Sequence, residues 1–239
     1  MKPYDAVQDK KSQIEAMFDN IAPTYDRLNH MLSLNIDRLW RRRAVQAVAA
    51  CAPASVLDIA TGTGDMALAL ARRLPEVRVT GVDLSEGMLA AGRAKVEQAQ
   101  LSQRVTLLRG DAEHLDFGDG VFDAAMSAFG VRNFGDLPAG LAEMHRVLRR
   151  GGRLVVLELS NPRKGLLRRL YDIYSHRVLP CIGGAVSHDV RAYEYLPASV
   201  DEFLRPQEFS ALLRAAGFGQ VEVRRQSFGI ANIYTAYKL

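Results

Sequence analysis

The stretch VLDIATGTGDM, from Val56 to Met66, leads from an apolar strand through a loop of small residues into a helix. The strand carries Asp58, and Gly62 and Gly64 let a ligand approach the loop backbone closely. Further apolar segments follow, with amphipathic segments between several of them: VRVTGVDL, RVTLLRGD, VFDAAMSAF and RLVVLELS. This alternation predicts a parallel sheet with helices on both faces.

The last part of the chain departs from this alternation. The segment LPAGLAEMHRVLRR is predicted to form a helix that Gly151 and Gly152 close. After a helix in RPQEFSALLRAAGF, two alternating segments, VEVRRQSF and ANIYTAYKL, flank Gly229 and predict an antiparallel hairpin. The predicted fold class is therefore α/β and Rossmann-like, with a mostly parallel seven-stranded sheet, helices on both faces and a C-terminal antiparallel hairpin.

We expect a single domain over residues 1–239, divided into four parts. Residues 1–50 are predicted to form a helical cover, in which APTYDRLNHMLSLN is a broken helix or an ordered loop. Residues 54–160 are predicted to form the binding core. Residues 162–204 are interpreted as a lid insertion, and residues 205–239 as the closing helix and hairpin.

The composition is that of an ordinary globular protein, with 239 residues of which 48% are hydrophobic and 24% are charged. No run of about 18 apolar residues occurs, and the polar N-terminal segment lacks the apolar centre of a signal peptide. Cys51 and Cys181 form no CxxC, so a disulfide framework is not expected. These features predict a cytoplasmic protein.

The positive charge is concentrated in short arginine clusters. The formal net charge is +4, and Arg41–Arg43 and Arg149–Arg150 are two of the clusters. Such clusters are typical of solvated helix faces, anionic membrane surfaces or nucleic-acid interfaces, and net charge does not choose among them. No recognisable nucleic-acid-binding module accompanies them, so we expect no nucleic acid among the partners.

The glycine loop could hold one of three classes of ligand. A phosphate-binding loop needs GxxxxGK followed by Ser or Thr, whereas Asp65 and Met66 follow Gly64 here. A dinucleotide loop would carry GxGxxG, but only Gly62 and Gly64 are present, with Asp58 before them. Acids on both sides of the loop favour a ligand that is not anionic.

S-adenosylmethionine is such a ligand, because it carries a sulfonium, an ammonium group and a ribose but no phosphate. Asp83 ends the next strand and can accept hydrogen bonds from both ribose hydroxyl groups. Asp111 and Ala112 follow the third strand, where a carboxylate can receive the adenine amino group. The carboxyl ends of parallel strands meet at one sheet edge, so the sequence predicts S-adenosylmethionine as the cofactor.

Longer motifs indicate a family. The segments MFDNIAPTYDRLNHMLSLNIDRLWRRR, SAFGVRNFGDLPAGLAEMHRVLRRGG, LELSNP and YEYLPASVDEF cover much of the chain. Together with the glycine loop and GDAEHLDF, they resemble the membrane-quinone C-methyltransferases, which comprise the demethylmenaquinone methyltransferases and their ubiquinone-pathway counterparts. These enzymes belong to the class I S-adenosylmethionine-dependent methyltransferases. The resemblance implies that Thr63, Asp83, Asp111, Ala112 and Ser127 contact the cofactor.

Besides Ala128, which stands where the family often has the serine before FG, so that Ser127 lies one position earlier, two positions depart from the family pattern. Ala60 stands where many methyltransferases have the first glycine of the loop, and we expect little cost provided that its φ is negative. Asn35 stands where the family often has glycine.

The resemblance implies methyl transfer to a ring carbon of a prenylated hydroquinone. Demethylmenaquinol is the expected acceptor, because the N-terminal segment is more similar to that branch. The alternatives are a polyprenyl-methoxy-benzoquinol of the ubiquinone pathway, a small molecule or nucleic acid as acceptor, and a non-catalytic binding module. The ring must be in its reduced form, because an oxidised quinone is too poor in electrons to react.

Four residues are the catalytic candidates. Arg132 and Asn133 follow the fourth strand and could stabilise and orient a phenolate, with Tyr25 or His30 assisting. The alternative for Arg132 is a salt bridge that pins its loop, and for His30 a structural or capping role. No histidine or cysteine has metal spacing, so no metal is expected.

A prenylated substrate requires access to a membrane. The basic amphipathic segment KGLLRRLYDIYSHRVL favours peripheral contact with the inner face of the cytoplasmic membrane. An ordinary helix packed on the domain is the alternative. The sequence leaves the oligomeric state, the tail length and the choice between naphthoquinol and benzoquinol open.

Overall fold

The computed structural model of the chain describes residues 3–4, 9–162, 174 and 190–239. Its α-helices, numbered in chain order, are α1 (Lys10–Ile21), α2 (Tyr25–Leu32), α3 (Ile36–Ala49), α4 (Asp65–Arg73), α5 (Glu86–Gln98), α6 (Leu137–Val147), α7 (Val190–Glu202) and α8 (Pro206–Ala215). Its strands are β1 (Ser55–Ile59), β2 (Arg78–Asp83), β3 (Val105–Arg109), β4 (Phe122–Ala128), β5 (Leu148–Leu159), β6 (Phe218–Gln226) and β7 (Ala231–Lys238). Two 3-10 helices, Val131–Asn133 and Ser227–Gly229, follow β4 and β6.

The seven strands form one sheet in the order β3-β2-β1-β4-β5-β7-β6. The first five strands pair in parallel, and β7 pairs antiparallel with both β5 and β6. The predicted fold class, with its closing antiparallel hairpin, is therefore confirmed. Because β1 to β4 are parallel, their carboxyl ends meet at one edge, and the loops that follow them form one surface.

Each face of the sheet is covered by helices whose apolar residues pack on it. On one face, α3, α4 and α5 bury residues such as Trp40, Val45 and Leu70 against Val56 and Met126. On the other face, α6 and α8 cover a separate core cluster that includes Leu57, Phe209 and Tyr234. The sheet is thus dry on both sides, which is why its central strands are almost continuously apolar.

The N-terminal helices have two different roles. The segment APTYDRLNHMLSLN, predicted to be a broken helix or an ordered loop, contains the short helix α2 with turns on both sides. Helices α1 and α2 pack through Ile14, Met17 and Leu28 against Met88 of α5 and Tyr195 of α7. They cover the carboxyl edge of the sheet, whereas α3 packs on the sheet face.

The predicted end of α6 is wrong by three residues. The helix ends at Val147, and β5 begins at Leu148 rather than after Gly151 and Gly152. Leu148 is fully buried and pairs with Phe122 of β4, so burial and sheet pairing outweigh local helix propensity there.

The lid segment is described only in part. The tyrosine-rich stretch RAYEYLPAS, for which no helix was predicted, lies in α7 with Pro197 inside the helix. The predicted basic helix KGLLRRLYDIYSHRVL falls almost entirely outside the described residues. Among the helices in the described ranges, none is both long and apolar enough to cross a bilayer.

Candidate active site

A first cavity, of about 80 Å³, lies over the carboxyl ends of β1 to β4. Four of the predicted cofactor residues line it, namely Gly62, Asp83, Asp111 and Ala112. The other four do not line this cavity: Asp58, Thr63, Gly64 and Ser127.

Asp83 is held by the backbone of two neighbouring loops. Its carboxylate accepts hydrogen bonds from the N–H of Gly62 at 2.7 Å and from the N–H of Ser85 at 3.0 Å. Burial raises the pKa of Asp83 above its ordinary value, although both amide bonds oppose that shift. A carboxylate oxygen can accept more than one hydrogen bond, so Asp83 can also accept hydrogen bonds from the hydroxyl groups of a ligand.

Asp111 bonds to the cover helix α1. Lys11 donates to Asp111 at 2.7 Å and to Glu113 at 2.8 Å. Burial alone would raise the pKa of Asp111, but the bonds from Lys11 and from the Glu113 amide outweigh burial and hold this pKa below its ordinary value. Lys11 therefore ties the cover to the wall of the first cavity.

The polar groups around the first cavity fit S-adenosylmethionine. Asp83, Asp111 and Glu113 supply carboxylates, and the loop after β1 has no lysine where a phosphate-binding loop would carry one. Such groups suit ribose hydroxyl and amino groups rather than a phosphate. No group of three or more His, Cys, Asp or Glu residues that could hold a metal ion occurs in the part of the chain that the structure describes.

Asp58 lies beneath the loop and is almost completely buried. Its carboxyl group accepts a hydrogen bond from the Thr61 hydroxyl at 2.7 Å. Burial raises the pKa of Asp58 from 3.8 to about 7, and the Thr61 bond only partly opposes that shift. Asp58 therefore fixes the loop from below, and it does so with a carboxyl group that is costly to ionise.

The raised pKa of Asp58 predicts a pH-dependent stability. Between the unfolded pKa of 3.8 and the folded pKa of about 7, the folded state binds more protons than the unfolded chain. The contribution of Asp58 to stability is therefore complete below the unfolded pKa and is lost as the pH rises through the folded pKa. In denaturant titrations without ligand, Asp58→Asn should gain a few kcal/mol relative to the wild type between pH 4 and pH 7. A difference that stays constant over this range would contradict the raised pKa.

The expectation of a negative φ at Ala60 is wrong. Ala60 has φ +54°, in the left-handed region that favours glycine. A Cβ atom built on Gly130 would lie 2.5 Å from the Ala60 Cβ, so the side chain of Ala60 fits only because residue 130 has none. Asn35, the other departure, also has a positive φ of 61°, which asparagine tolerates better than most residues.

Ala60→Gly is therefore expected to raise the free energy of unfolding by about 0.5–1 kcal/mol, because relief of the left-handed conformation exceeds the added entropy of the unfolded chain. Urea titration measures the change. Ala90→Gly on the exposed side of α5 is the control, and it should lower stability by about 1 kcal/mol. Equal losses in both variants would show that Ala60 is not strained.

Thr63 and Gly64 shape the loop. The Thr63 hydroxyl donates to Asp26 of α2 at 2.6 Å and accepts from Lys95 at 3.0 Å. Gly64 has φ +77° and precedes the first residue of α4. Ser127 is fully buried, and its hydroxyl group has no hydrogen-bond partner among the described residues. The Thr63 contacts therefore join the loop to the cover.

A second cavity, of about 310 Å³, lies beside the first, between the cover and the sheet. Its walls are largely apolar, with Met17, Ile21, Leu32 and Trp40 among them. Three aromatic residues line both cavities, namely Phe18, Tyr25 and Phe129. Ligands in the two cavities would therefore meet at these three side chains.

Arg132 lines the second cavity and forms a buried ion pair. Its guanidinium group lies 2.8 Å from the carboxylate of Glu158, and the two side chains are 6% and 0% exposed. It also donates to the carbonyl of Phe129 and, at 3.3 Å, to the Ser199 hydroxyl. Burial would lower the pKa of Arg132, but Glu158 and Tyr25 outweigh it and raise this pKa, so the guanidinium stays charged.

Asn133 faces the first cavity although Arg132 faces the second. The carbonyl oxygen of the Asn133 side chain accepts from the Tyr195 hydroxyl at 3.2 Å. Tyr25 lines both cavities, and burial raises the pKa of its phenol above the ordinary value against the influence of Arg41 and Arg132. Tyr25 is therefore a hydrogen-bond donor rather than a base.

His30 lines neither cavity. Its Nδ1 lies 2.8 Å from the carboxylate of Asp37, and its Nε2 lies 3.9 Å from Asp65. Asp37 is 4% exposed, accepts from Ser33 at 2.5 Å and lines the second cavity. His30 could therefore reach a ligand in that cavity only through Asp37.

Sequence patterns did not indicate Glu158, Phe18 or Phe129 as residues of the site. Glu158 had a signal, because an acid inside the apolar run LVVLELS indicates a buried carboxylate that needs a partner. Phe18 and Phe129 had none, since α1 and the loop after β4 meet only in the folded chain.

Comparison with known proteins gives one family. The model of the ubiE/COQ5 methyltransferase family matches residues 6–238. The demethylmenaquinone methyltransferase of Bacteroides fragilis is 45% identical, over 100% of this chain and 97% of the relative. The ubiquinone/menaquinone biosynthesis C-methyltransferase UbiE of Geobacter sulfurreducens is 49% identical, over 96% of this chain and 90% of the relative. A SAM-dependent methyltransferase structure from Thermotoga maritima has a TM-score of 0.63 with 21% identity, over 95% and 100% of the two chains, and supports the fold alone.

Proposed function

This chain belongs to the ubiE/COQ5 methyltransferase family, and we propose that it methylates a ring carbon of a prenylated hydroquinone, with demethylmenaquinol as the acceptor. It is an S-adenosylmethionine-dependent methyltransferase. The observation that carries the proposed acceptor is the pair of adjoining cavities: carboxylates line the smaller one, and the larger one is largely apolar. The two cavities share Phe18, Tyr25 and Phe129. A polar donor and a lipid acceptor fit the two cavities respectively.

The first cavity is proposed to hold the cofactor. Asp83 would accept hydrogen bonds from the ribose hydroxyl groups. Asp111 and Ala112 would contact the edge of the adenine ring. Gly62 allows the loop backbone to approach the amino-acid moiety of the cofactor. Asp58 and Thr63 hold the loop from outside the cavity, where Gly64 and Ser127 also lie. When bound, S-adenosylmethionine supplies a methyl group that is electrophilic because it is attached to a sulfonium.

The second cavity is proposed to hold the quinol. Its apolar walls exclude water and suit an aromatic ring with the start of a prenyl tail. The three shared aromatic side chains would confine the ring next to the first cavity, so the reacting carbon faces the methyl group. Alignment of two reactants in a dry site supplies a large part of the rate enhancement.

Arg132 is proposed to activate the acceptor. A buried guanidinium beside a quinol hydroxyl lowers the pKa of that hydroxyl, and the resulting phenolate pushes electron density onto the neighbouring ring carbon. Glu158 holds the guanidinium in place through the 2.8 Å contact. Tyr25 would donate a hydrogen bond to the same quinol oxygen. Asn133, which lines the first cavity, would help to orient that oxygen from the side of the cofactor.

The proton released by the quinol is proposed to pass to Asp37. Asp37 lines the second cavity, and His30 bonds to it at 2.8 Å, so the pair can share a proton. His30 therefore assists through Asp37.

A methylation assay tests the proposal. Reduced demethylnaphthoquinol with a short prenyl tail should be methylated at a ring carbon, whereas its oxidised quinone should not react. A benzoquinol acceptor forms the comparison, because the name of the Geobacter relative covers both pathways. Methylation of neither quinol by folded protein that binds S-adenosylhomocysteine would refute the proposed acceptor class.

The prenylated acceptor also implies work at a membrane. We propose that the protein is cytoplasmic and makes peripheral contact with the inner face of the membrane. The net charge of +4 supports attraction to anionic lipid.

A further inference from the structure

Large apolar side chains are exposed around one opening of the second cavity. Leu34 is 75% exposed and Phe228 is 84% exposed, which are the highest values among the large hydrophobic residues that the structure describes. Met31, Ile36 and Leu39 are also exposed, and all three belong to α2 and α3 on either side of Leu34. Solvent exposure of so many apolar side chains in one place indicates an interaction surface.

The exposed side chains are continuous with the second cavity. Leu34 and Ile36 line that cavity, and so does Ser227, the residue before Phe228. Trp40 of α3 donates to the Ser227 hydroxyl at 2.9 Å, which holds the loop after β6 against α3. The two segments that carry the exposed residues therefore flank a single entrance, which we call the entrance surface (Met31, Leu34, Ile36, Leu39 and Phe228).

The backbone presents these side chains outward at a cost. Leu34 has φ 52° and Phe228 has φ 59°, both in the left-handed region. Neither side chain recovers that cost by burial within the chain, since both are exposed.

Basic residues surround the entrance surface. Six exposed arginines lie on α2, α3 and β6, namely Arg27, Arg38, Arg42, Arg43, Arg224 and Arg225. Arg38 and Arg42 lie one turn apart on α3, and neither forms an ion pair with a residue in the described ranges. Residues 27–43 contain one acidic residue, Asp37, which is buried and hydrogen-bonded to His30 and Ser33. Exposed apolar side chains with exposed arginines on the same helices complement an anionic lipid surface.

We propose that the entrance surface docks on an anionic lipid bilayer, with Leu39 and Phe228 inserted between headgroups and Arg38 and Arg42 on the phosphates. This inference rests on the proposed function, because it gives the prenyl tail a direct route from the bilayer into the second cavity. The charge and the cavity entrance favour lipid over a protein partner, which would cover the surface but leave no path for the tail.

Vesicle flotation tests the proposal with three double variants. Leu39→Gln with Phe228→Asn removes apolar side chains that do not line either cavity, and asparagine suits the left-handed backbone at 228. Arg38→Gln with Arg42→Gln removes charge. Val121→Gln with Leu239→Gln is the control, because both residues are exposed hydrophobic residues at the opposite edge of the sheet.

The apolar double variant should bind vesicles of phosphatidylcholine and phosphatidylglycerol about tenfold more weakly than the wild type. The affinity of the arginine variant for these vesicles should fall about tenfold, whereas its affinity for vesicles of phosphatidylcholine alone should change little. The control should bind like the wild type. Equal binding by all variants, or an equal loss in the control, would overturn the proposal.

A paired activity measurement separates this proposal from the proposed function. The apolar variant and the arginine variant should methylate a water-soluble short-tail quinol like the wild type but a vesicle-embedded long-tail quinol more slowly, and the control should match the wild type on both. If the apolar variant methylated the embedded quinol as fast as the wild type does, the docking proposal would be refuted and the proposed function would stand. No turnover of either quinol by the wild type would refute the proposed function instead. Binding of the wild type to a protein but not to vesicles would also overturn the lipid assignment.

Discussion

Arg132→Ala is expected to lower the free energy of unfolding by about 3 kcal/mol, because it leaves the fully buried carboxylate of Glu158 without its cationic partner. Among the described residues, Glu158 would retain hydrogen bonds only from the backbone N–H of residue 132, at 3.2 Å, and from that of Leu159, at 2.8 Å. The same substitution should lower kcat by about 100-fold or more, because a positive charge is lost where the phenolate forms. Urea titration and single-turnover methylation measure the two effects.

A double variant separates the structural effect from the catalytic effect. Arg132→Gln with Glu158→Gln replaces the buried ion pair by two neutral amides of similar size, so most of the stability should return. The methylation rate should stay about 100-fold low, because no cation faces the quinol oxygen. Recovery of both stability and rate would show that Arg132 only pins its loop.

An exposed ion pair provides the control for this comparison. Arg205 and Glu208 at the start of α8 are 80% and 42% exposed. Arg205→Ala should cost less than about 1 kcal/mol and leave kcat unchanged, because solvent already screens this pair.

Asp83→Asn is expected to weaken S-adenosylhomocysteine binding by about 100-fold. An amide keeps the size of the side chain, but it loses the charge and one acceptor group for the ribose hydroxyls, and charged hydrogen bonds contribute about 1.5–3 kcal/mol each. The bonds from the Gly62 and Ser85 amides would weaken as well, so the loop itself would be held less firmly. Titration calorimetry measures the dissociation constant directly.

Asp123→Asn is the matched control for Asp83→Asn. Asp123 also accepts hydrogen bonds from two backbone N–H groups, those of Ala54 at 2.8 Å and Ser55 at 2.9 Å. It lies at the amino end of β4, across the sheet from the first cavity. Asp123→Asn should lower stability but leave ligand affinity intact. Equal affinity losses in both variants would mean that Asp83 acts through stability rather than through contact.

Local patterns predicted the fold and four residues that line the first cavity. Apolar segments alternating with amphipathic ones predicted the strands and helices of the sheet, and the antiparallel hairpin followed from the alternation around Gly229. Asp83 and Asp111 were predicted because they directly follow or end a strand, and parallel strands bring their carboxyl ends together. These features depend on neighbours within a few residues, which the sequence displays directly.

Local patterns failed where a residue's role depends on distant contacts. Thr63 and Asp58 remain predicted cofactor residues, but the sequence did not indicate that Thr63 lies between Asp26 and Lys95 or that Asp58 lies beneath the loop. Arg132 and Asn133 are adjacent in sequence yet line different cavities, because the 3-10 turn directs their side chains apart. Ala60 adopts a left-handed conformation that its residue type disfavours.

By itself, the sequence determined the order of strands and helices and the acids at the carboxyl edge of the sheet, because periodicity and chain direction are local properties. Only the tertiary structure decided the second cavity, whose walls come from α1, α2, α3, α7 and the turn after β6. It also decided the partners of Arg132 and Lys11, which lie 26 and 100 residues away in the chain. Burial and charge pairing depend on packing between distant segments, and no short stretch of sequence records which segments will meet.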